Sequence, residues 1–501
     1  MKLISKSRFL QYLICPKDAW FRLHEPESKE FEASLSEKGL MDQGYVVESY
    51  AKKSKQFSGL VEIKSVDFSE FKKEVDQLIA KKVSAIYQPT FVIDGFICRC
   101  DFVVYNSKTK KWDIYEVKGT NSLKDTDGPR DHISDVAFQA VVLERYGIAV
   151  GNQYIFHLNK EYIRGDKIDA EQLFITTDIT DQVLEKKEKT AKQMNKAKKY
   201  LNQDNEPKEG CDCIYHGRSS HCETFSKSHP EASEYSIYDL SRINSKKLTN
   251  LIKNQIYKLD DIKDISSFSE IQQNQINTHK TNKEIINKEE IINILDSYNY
   301  PLYFFDYETF APAIPIYPGY KTYQRIPIQF SLHIIDIKGG PLRHVDYLHQ
   351  ENSDPSEIVA KKLNEYIDPK GTVLAWNFSF EKGVTAEIGE RLPQYEKIMN
   401  RICKQMKDLR DIFSKQHYVH KDFGGKSGVE EVMKVLLPNM NYDDLPYTGS
   451  DVGYVWWNDI VNKGSDTQDR ANKIHLIKEY CKQDTFVMVE IFRILNNIIK
   501  K

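Results

Sequence analysis

Leu302-Tyr-Phe-Phe-Asp306-Tyr-Glu308-Thr-Phe310 is the stretch whose reading decides the fold of this chain. It is an apolar, β-forming run that carries two acids, and in a strand residues i and i+2 share a face. Asp306 and Glu308 therefore point one way while Phe305 and Tyr307 point the other. Two carboxylates converging from one face suit a hard divalent cation such as Mg²⁺ or Mn²⁺. For an isolated Asp-x-Glu the simpler reading, a strand with a solvated polar face, comes first.

Two later stretches reverse that order. Thr372-Val-Leu-Ala-Trp376 leads into Asn377-Phe-Ser-Phe-Glu381, a strand followed by a helix start that presents an acid. Tyr480 and Asp484 stand at i and i+4 inside a helical pattern over 474–495, so a phenol and a carboxylate leave one helix face. In this order and spacing the residues resemble the DEDDy branch of the RNase H-like 3′-to-5′ exonucleases. That family carries Asp-x-Glu on its first strand, Asn-x-x-Phe-Asp after a later strand and Tyr-x-x-x-Asp on a C-terminal helix. The resemblance implies that Asp306, Glu308, Glu381 and Asp484 hold two metal ions and that Tyr480 orients the attacking water. One position departs, because the family's second acid is Asp. The extra methylene of Glu381 moves its carboxylate outward by about 1.5 Å, whereas two-metal chemistry needs ions roughly 3.5 to 4 Å apart. Glu381 could then serve unchanged, coordinate differently or mark a weakened site.

At 501 residues the chain exceeds one ordinary core, so two or three domains are expected. Its 71 basic and 73 acidic residues nearly cancel, which places any phosphate binding in local grooves instead of a global field. The N-terminus lacks an apolar run of signal-peptide length and no later run approaches a membrane span, so a cytoplasmic protein is expected. Eight cysteines in a reducing compartment point to metal or redox chemistry before disulfides.

In the N-terminal half, residues 86–93, an Asp94-Gly95 turn and residues 96–105 read as a β-hairpin, with a further strand over 112–118. Cys98 and Cys100 share one face of the middle strand and Asp101 the other. Glu116 and Lys118 are again i and i+2, one carboxylate for metal and one ammonium to steady a water or the scissile phosphate. An acid followed about fifteen residues later by Glu-x-Lys resembles the PD-(D/E)XK nuclease core. Gly44-x-x-x-Glu48 is similar to the helix that leads this core in RecB-like nucleases, where the last residue is often His. Gln139, on a helix over 135–145, is similar to the RecB-like Gln motif that contacts DNA near the cut, although the usual Tyr four residues on is Leu143 here. The resemblance implies Glu48, Asp101 and Glu116 as metal ligands, Glu116 and Lys118 in catalysis and Gln139 in DNA binding. For Glu48 and Gln139 a solvated helix face stands as the alternative.

Cys211, Cys213 and Cys222 form a dense cluster after a helical pattern over 182–201, and a tetrahedral zinc or a cubane needs a fourth ligand. Cys15, in Cys15-Pro16, could supply it, with His216 and His221 as nitrogen alternatives. One cysteine before the core and three after it resembles the iron-sulfur RecB-like nucleases, including those of CRISPR adaptation and bacterial recombination helicase-nucleases. That resemblance implies a 4Fe-4S cluster on Cys15, Cys211, Cys213 and Cys222, with zinc and unligated thiols as alternatives. Cys98, Cys100, Cys403 and Cys481 read as buried thiols.

The expected architecture is therefore α/β. A PD-(D/E)XK restriction-endonuclease-like module occupies 1–225, a helical connector with a helix over 238–252 occupies 226–299, and an RNase H-like domain occupies 300–501. Within the last, strands over 326–335 and 342–348 and a helix over 356–367 follow the first strand. The region 407–413 reads as helix and loop, Asp408 and Asp411 as helix surface, and Tyr323, Phe378 and Trp456 as aromatic residues able to stack bases. The expected function is a Mg²⁺- or Mn²⁺-dependent DNA nuclease acting on single-stranded or duplex ends in phage defence or repair. RNA substrates and a protein partner stay open. The alternative is a non-catalytic nucleic-acid-binding or scaffold protein with one or both sites degenerate.

Overall fold

The computed structural model describes residues 2–28, 31–64, 68–124, 131–232, 235–442, 445–462 and 467–500. The architecture is mixed α/β. Two compact units divide it: residues 1–233 with 312–323, and residues 234–311 with 324–501.

The first unit is built on a six-stranded sheet in the order β2-β3-β6-β7-β8-β9. These strands are β2 (Leu60–Glu62), β3 (Ala85–Tyr87), β6 (Phe102–Asn106), β7 (Lys111–Lys118), β8 (Val150–Leu158) and β9 (Phe174–Asp178). β7 is central and buried from Trp112 to Val117. It runs antiparallel to β6 and parallel to β8, and parallel neighbours need a crossover connection. The helix His132–Tyr146 provides it, capped by the Asp131 side chain on Ser134 N–H and stopped by Gly147 at φ +99°. Residues Ile133 to Leu143 of that helix are almost all buried, as expected for an element packed on a sheet.

The hairpin expected over 86–105 forms, but not as two continuous strands. β4 (Thr90–Ile93) and β5 (Phe96–Arg99) join β1 (Ile4–Ser5) in a separate three-stranded sheet of order β1-β5-β4. Asp94 and Gly95 turn the chain with φ of +53° and +85°, the pair of positive angles a two-residue hairpin loop requires. The break lies at Gln88-Pro89 opposite Cys100-Asp101. Proline has no N–H to give the ladder, so Cys100 N–H donates to Pro89 O and Gln88 N–H to Asp101 O instead. Sequence alternation does not show this break, because it runs through it without a change of parity.

The second unit holds a five-stranded sheet of order β13-β12-β11-β14-β15, from β11 (Leu302–Phe310), β12 (Ile326–Ile335), β13 (Leu342–Leu348), β14 (Thr372–Ala375) and β15 (Met406–Asp408). β11, β12 and β13 are antiparallel; β14 and β15 run parallel to β11 and to each other. β12 is buried on both faces, one carrying Ile328, Phe330, Leu332 and Ile334 and the other the buried polar residues Gln329, Ser331 and His333. The strands at 326–335 and 342–348 fall where alternation puts them. Of the stretch 407–413, read as helix and loop, the helix Asp411–Ser414 forms, whereas Lys407 and Asp408 belong to β15, and Met-Lys-Asp is too short to display a period. A short pair, β10 (Ile285–Ile286) with β16 (Tyr418–Val419), completes the strands. In the connector, the helix expected over 238–252 is only Ser245–Lys253, because Arg242 takes a left-handed φ of +52° and Asn244 caps the new start. The C-terminal helix Thr467–Lys500 packs on β11 and β12. Among the described residues no helix is long and apolar enough to cross a membrane.

Candidate metal centres

In the second unit, β11 and the helix Thr467–Lys500 bring Asp306, Glu308, Tyr480 and Asp484 within one another's electrostatic reach, and the first turn of the helix Ser379–Arg391 adds Glu381. Strand parity puts Asp306 and Glu308 together; helical periodicity does the same for Tyr480 and Asp484. Burial lifts Asp306 to about 8, reinforced by the charge of Glu381. Glu381 is itself held at about 7, by burial first and by Asp408 among its neighbours. Burial also drives Glu308 and Asp484 well above the usual carboxylate range, and Asp306 adds to both. The Tyr480 phenol rises through burial and the fields of Asp484, Glu308 and Asp306. Five groups that act on one another in this way share one site.

The charge in it is unanswered. No lysine or arginine among the described residues forms an ion pair with these four acids, and Arg325, whose field reaches Glu381, is paired with Glu387. Glu381 is 4% exposed and its Oε2 has no hydrogen-bond partner. Buried carboxylates without a cation either hold protons or wait for metal. A donor set in which carboxylates dominate, one of them with an orphaned oxygen, fits divalent cations. The longer Glu381 side chain does not leave the site, since it still bears on Asp306.

Three residues complete the surroundings: Tyr442 and Gly449, which the sequence did not single out, and Asp408, which it read as helix surface. Tyr442 O–H donates to Asp484 Oδ1 at 2.5 Å. Gly449 borders the phenol: a Cβ there would stand at ordinary contact distance, 3.4 Å from Tyr480 Oη and 3.9 Å from Glu308 Oε1. Asp408, at the end of β15 and not on a helix surface, accepts from Asn377 N–H at 2.9 Å and Arg410 N–H at 3.0 Å. It thereby fixes the turn, with Asn377 at φ +63°, that aims the Glu381 helix. Trp456 is fully buried and donates to His349 O, so it is core and not a base-stacking surface.

In the first unit, Asp101, Glu116 and Lys118 also come together. Asp101 Oδ2 accepts from Val117 N–H at 2.7 Å, between Glu116 and Lys118. Burial and then the charge of Glu116 raise the Asp101 carboxyl well above its ordinary range. Here the charge is answered from within. Lys118 Nζ reaches Glu116 at 2.6 Å and Asp135 at 2.5 Å, and Lys6 Nζ reaches Glu116 at 2.6 Å and Asp135 at 2.9 Å. Burial opposes both ammonium groups, yet the two acids outweigh it and hold Lys6 and Lys118 charged. Asp135, in spite of burial, is pulled far below the carboxylate range by Lys118 and Lys6.

Gln139 is fully buried and donates to Glu116 at 2.6 Å and Asp135 at 3.1 Å. Glu48, in the helix Leu35–Ala51, accepts from Tyr87 O–H and Gln88 Nε2, each at 2.9 Å, and its field reaches Asp101. Lys6 and Asp135 were not among the residues the sequence suggested. The i and i+4 pairing of Asp135 with Gln139 was a visible signal; nothing local marks Lys6.

Cys15, Cys211, Cys213 and Cys222 converge, with all four sulfurs within 4.8 Å of one another. Cys15 closes the helix Lys6–Ile14 and opens Pro16–His24, where Pro16 ends the first hydrogen-bond ladder. Its sulfur accepts from Asp18 N–H. His221 stacks on Phe225 and neither it nor His216 joins the sulfur set. His229, which the sequence did not suggest, bonds Cys211 O at 3.1 Å. Cys15 to Cys222 is 3.7 Å and Cys211 to Cys222 is 3.8 Å. Four sulfurs at metal bonds of about 2.3 Å around one tetrahedral ion stand about 3.8 Å apart. A cubane puts a separate iron on each thiolate and spreads the sulfurs farther.

No curated protein matches this chain. A family model described as a domain of unknown function (DUF2779) matches residues 303–428, a span that contains Asp306, Glu308 and Glu381 and ends before Tyr480 and Asp484.

Proposed function

We propose that this protein is a divalent-metal-dependent nuclease that hydrolyses DNA phosphodiester bonds, with its catalytic centre at Asp306, Glu308, Glu381 and Asp484. The observation that carries this reading is the gathering of four acids, Glu308 and Glu381 buried and Asp306 and Asp484 half-buried, with a tyrosine and, among the described residues, no protein cation paired to them. The sheet order, three antiparallel strands continued by two parallel ones, supports an RNase H-like domain of the DEDDy kind and hence 3′-to-5′ end trimming.

Bound divalent ions would supply charge stabilisation and a nucleophilic water at neutral pH. The chain's own part is to hold the four carboxylates together in a partly desolvated site, where each charge counts for more than in water. Tyr480 stays a neutral phenol and offers an O–H or lone pair to orient the water. Tyr442 fixes Asp484 in one rotamer. End trimming of this sort serves phage defence or repair.

In the first unit the Asp101, Glu116 and Lys118 arrangement supports a PD-(D/E)XK-like module. Lys6 and Lys118, which already neutralise Glu116 and Asp135, favour a second reading there: a nucleic-acid-binding guide without cleavage of its own. For the four cysteines the 3.7–3.8 Å separations favour a single Zn²⁺ over 4Fe-4S.

The test offers labelled single-stranded DNA, duplex DNA and RNA to the full-length protein with Mn²⁺, beside Asp306→Ala and Glu116→Ala variants. Cleavage that needs metal and Asp306 is the expected result. No metal-dependent cleavage of any substrate would remove the reading. A colourless protein holding zinc supports the single ion, and a broad visible absorption band supports the cluster.

A further inference from the structure

Cys481 stands where the mechanism above has no use for it. It follows Tyr480 on the helix Thr467–Lys500, is fully buried, and its thiol donates to Asp306 Oδ2 at 3.4 Å. Its sulfur, an Asp306 oxygen and a Glu308 oxygen all lie within 4.8 Å of one another, a separation that one ion can span. Helical periodicity puts Cys481 and Asp484, at i and i+3, on adjoining parts of one face. The orphaned Glu381 Oε2, on a side chain 96% buried, marks the same site as short of a positive partner. The other thiols outside the four-cysteine group are engaged elsewhere: Cys98 with Cys100, and Cys403 with Lys382 O.

A thiolate is a soft ligand among hard ones. Mg²⁺ is selected by oxygen, whereas Zn²⁺ and Cd²⁺ accept sulfur, and Mn²⁺ tolerates mixed sets better than Mg²⁺ does. We propose that Cys481 is a metal ligand of the Asp306 and Glu308 site, and that it biases the site toward thiophilic divalent ions and away from Mg²⁺. This rests on reading Asp306 and Glu308 as metal ligands and adds the identity of the metal they take. On coordination the Cys481 sulfur gives its proton to solvent and bonds the ion as thiolate.

The experiment titrates Cd²⁺ into the full-length protein and into Cys481→Ser, following sulfur-to-cadmium charge-transfer absorption in the ultraviolet. The four-cysteine group is common to both, so the difference spectrum isolates Cys481. Wild type should bind one more Cd²⁺, with a Cys481-dependent band. Cd²⁺ affinity at this site should fall on the order of tenfold or more in the variant, at least what loss of an outer partner of a ligand costs. Mg²⁺ affinity should stay within about twofold. Identical stoichiometry and absorption in the two proteins overturns the proposal. Glu308→Gln keeps the thiol and guards against a folding defect in Cys481→Ser: the band should weaken there, and a band indifferent to Glu308 overturns the proposal. A protein that shows the band but cleaves nothing sinks the nuclease reading and keeps this site. One that cleaves with Mg²⁺ and lacks the band does the reverse.

Discussion

The two acidic sites are built from the same kind of residue and differ in who neutralises them. In the first unit Lys6 and Lys118 stand between Glu116 and Asp135, so the charge closes on itself and Asp135 stays ionised. In the second unit Asp306, Glu308, Glu381 and Asp484 lie in one another's fields, and among the described residues no ammonium or guanidinium is paired to them. The first site is complete as the chain folds. The second carries a cost of burial that only protons or metal ions relieve. A cluster of acids is thus weak evidence for a metal site until its internal cations have been counted.

The widest separation between the sites should come from Asp306→Asn. With Mn²⁺ present, cleavage should drop on the order of 10³-fold, comparable to removing a transition-state charge stabiliser. Above about pH 8, where Asp306 is ionised, the metal-free variant should also melt higher than wild type, because a desolvated like charge is gone. A variant that cuts as fast as wild type would put the catalytic centre elsewhere. Lys6→Met is the converse experiment in the first unit. Stripping one ammonium from buried Glu116 and Asp135 should destabilise that unit by about 3 kcal/mol, measured by urea denaturation. Added Mg²⁺ or Mn²⁺ should restore part of the loss, and no rescue would mean that the pocket cannot accept an ion even when vacated.

Titration sharpens the contrast further. Folded Asp306 and Glu381 keep their protons to about 8 and 7, whereas unfolded carboxyls lose theirs near 4. The folded state then binds more protons across that window, so stability should fall as pH rises from about 4 to about 8, by roughly 2 kcal/mol after allowance for relaxation. Mn²⁺ should flatten the fall and EDTA should restore it. In the first site the Lys6, Lys118 and Asp135 cluster should add no slope in the same range, and the raised Asp101 carboxyl should add to the fall. The depressed Asp135 loses its contribution only as pH drops below the carboxylate range, and the raised Lys6 and Lys118 lose theirs only above the lysine range. Melting curves between pH 5 and 9 with Mn²⁺ or EDTA check both. The smallest effect belongs to Tyr442→Phe, which removes one hydrogen bond to Asp484. About 1.5 kcal/mol of metal affinity should go with it, seen as a raised Mn²⁺ requirement in the cleavage assay; an unchanged requirement would make Tyr442 a packing residue only.

Much of this was legible along the chain. Alternation at 302–310, 326–335 and 342–348 reports strands because each is long enough to repeat its period, and the i and i+4 spacing of Tyr480 and Asp484 reports a helical face. β15 was not legible, being three residues long, nor was the division of the 86–105 hairpin between two sheets, which preserves parity while changing partners.

Local chemistry, then, was determined by the amino-acid sequence alone: which residues are acids, thiols and amines, and which neighbours within a strand or helix share a face, because short-range periodicity is fixed by backbone geometry. Tertiary structure alone decided the company they keep. Lys6 comes to Glu116 from 110 positions away and Cys481 to Asp306 from 175, and Cys15 meets Cys222 across 207. Such pairings depend on how whole elements pack, and no local pattern encodes the sign of the charge that a distant element brings.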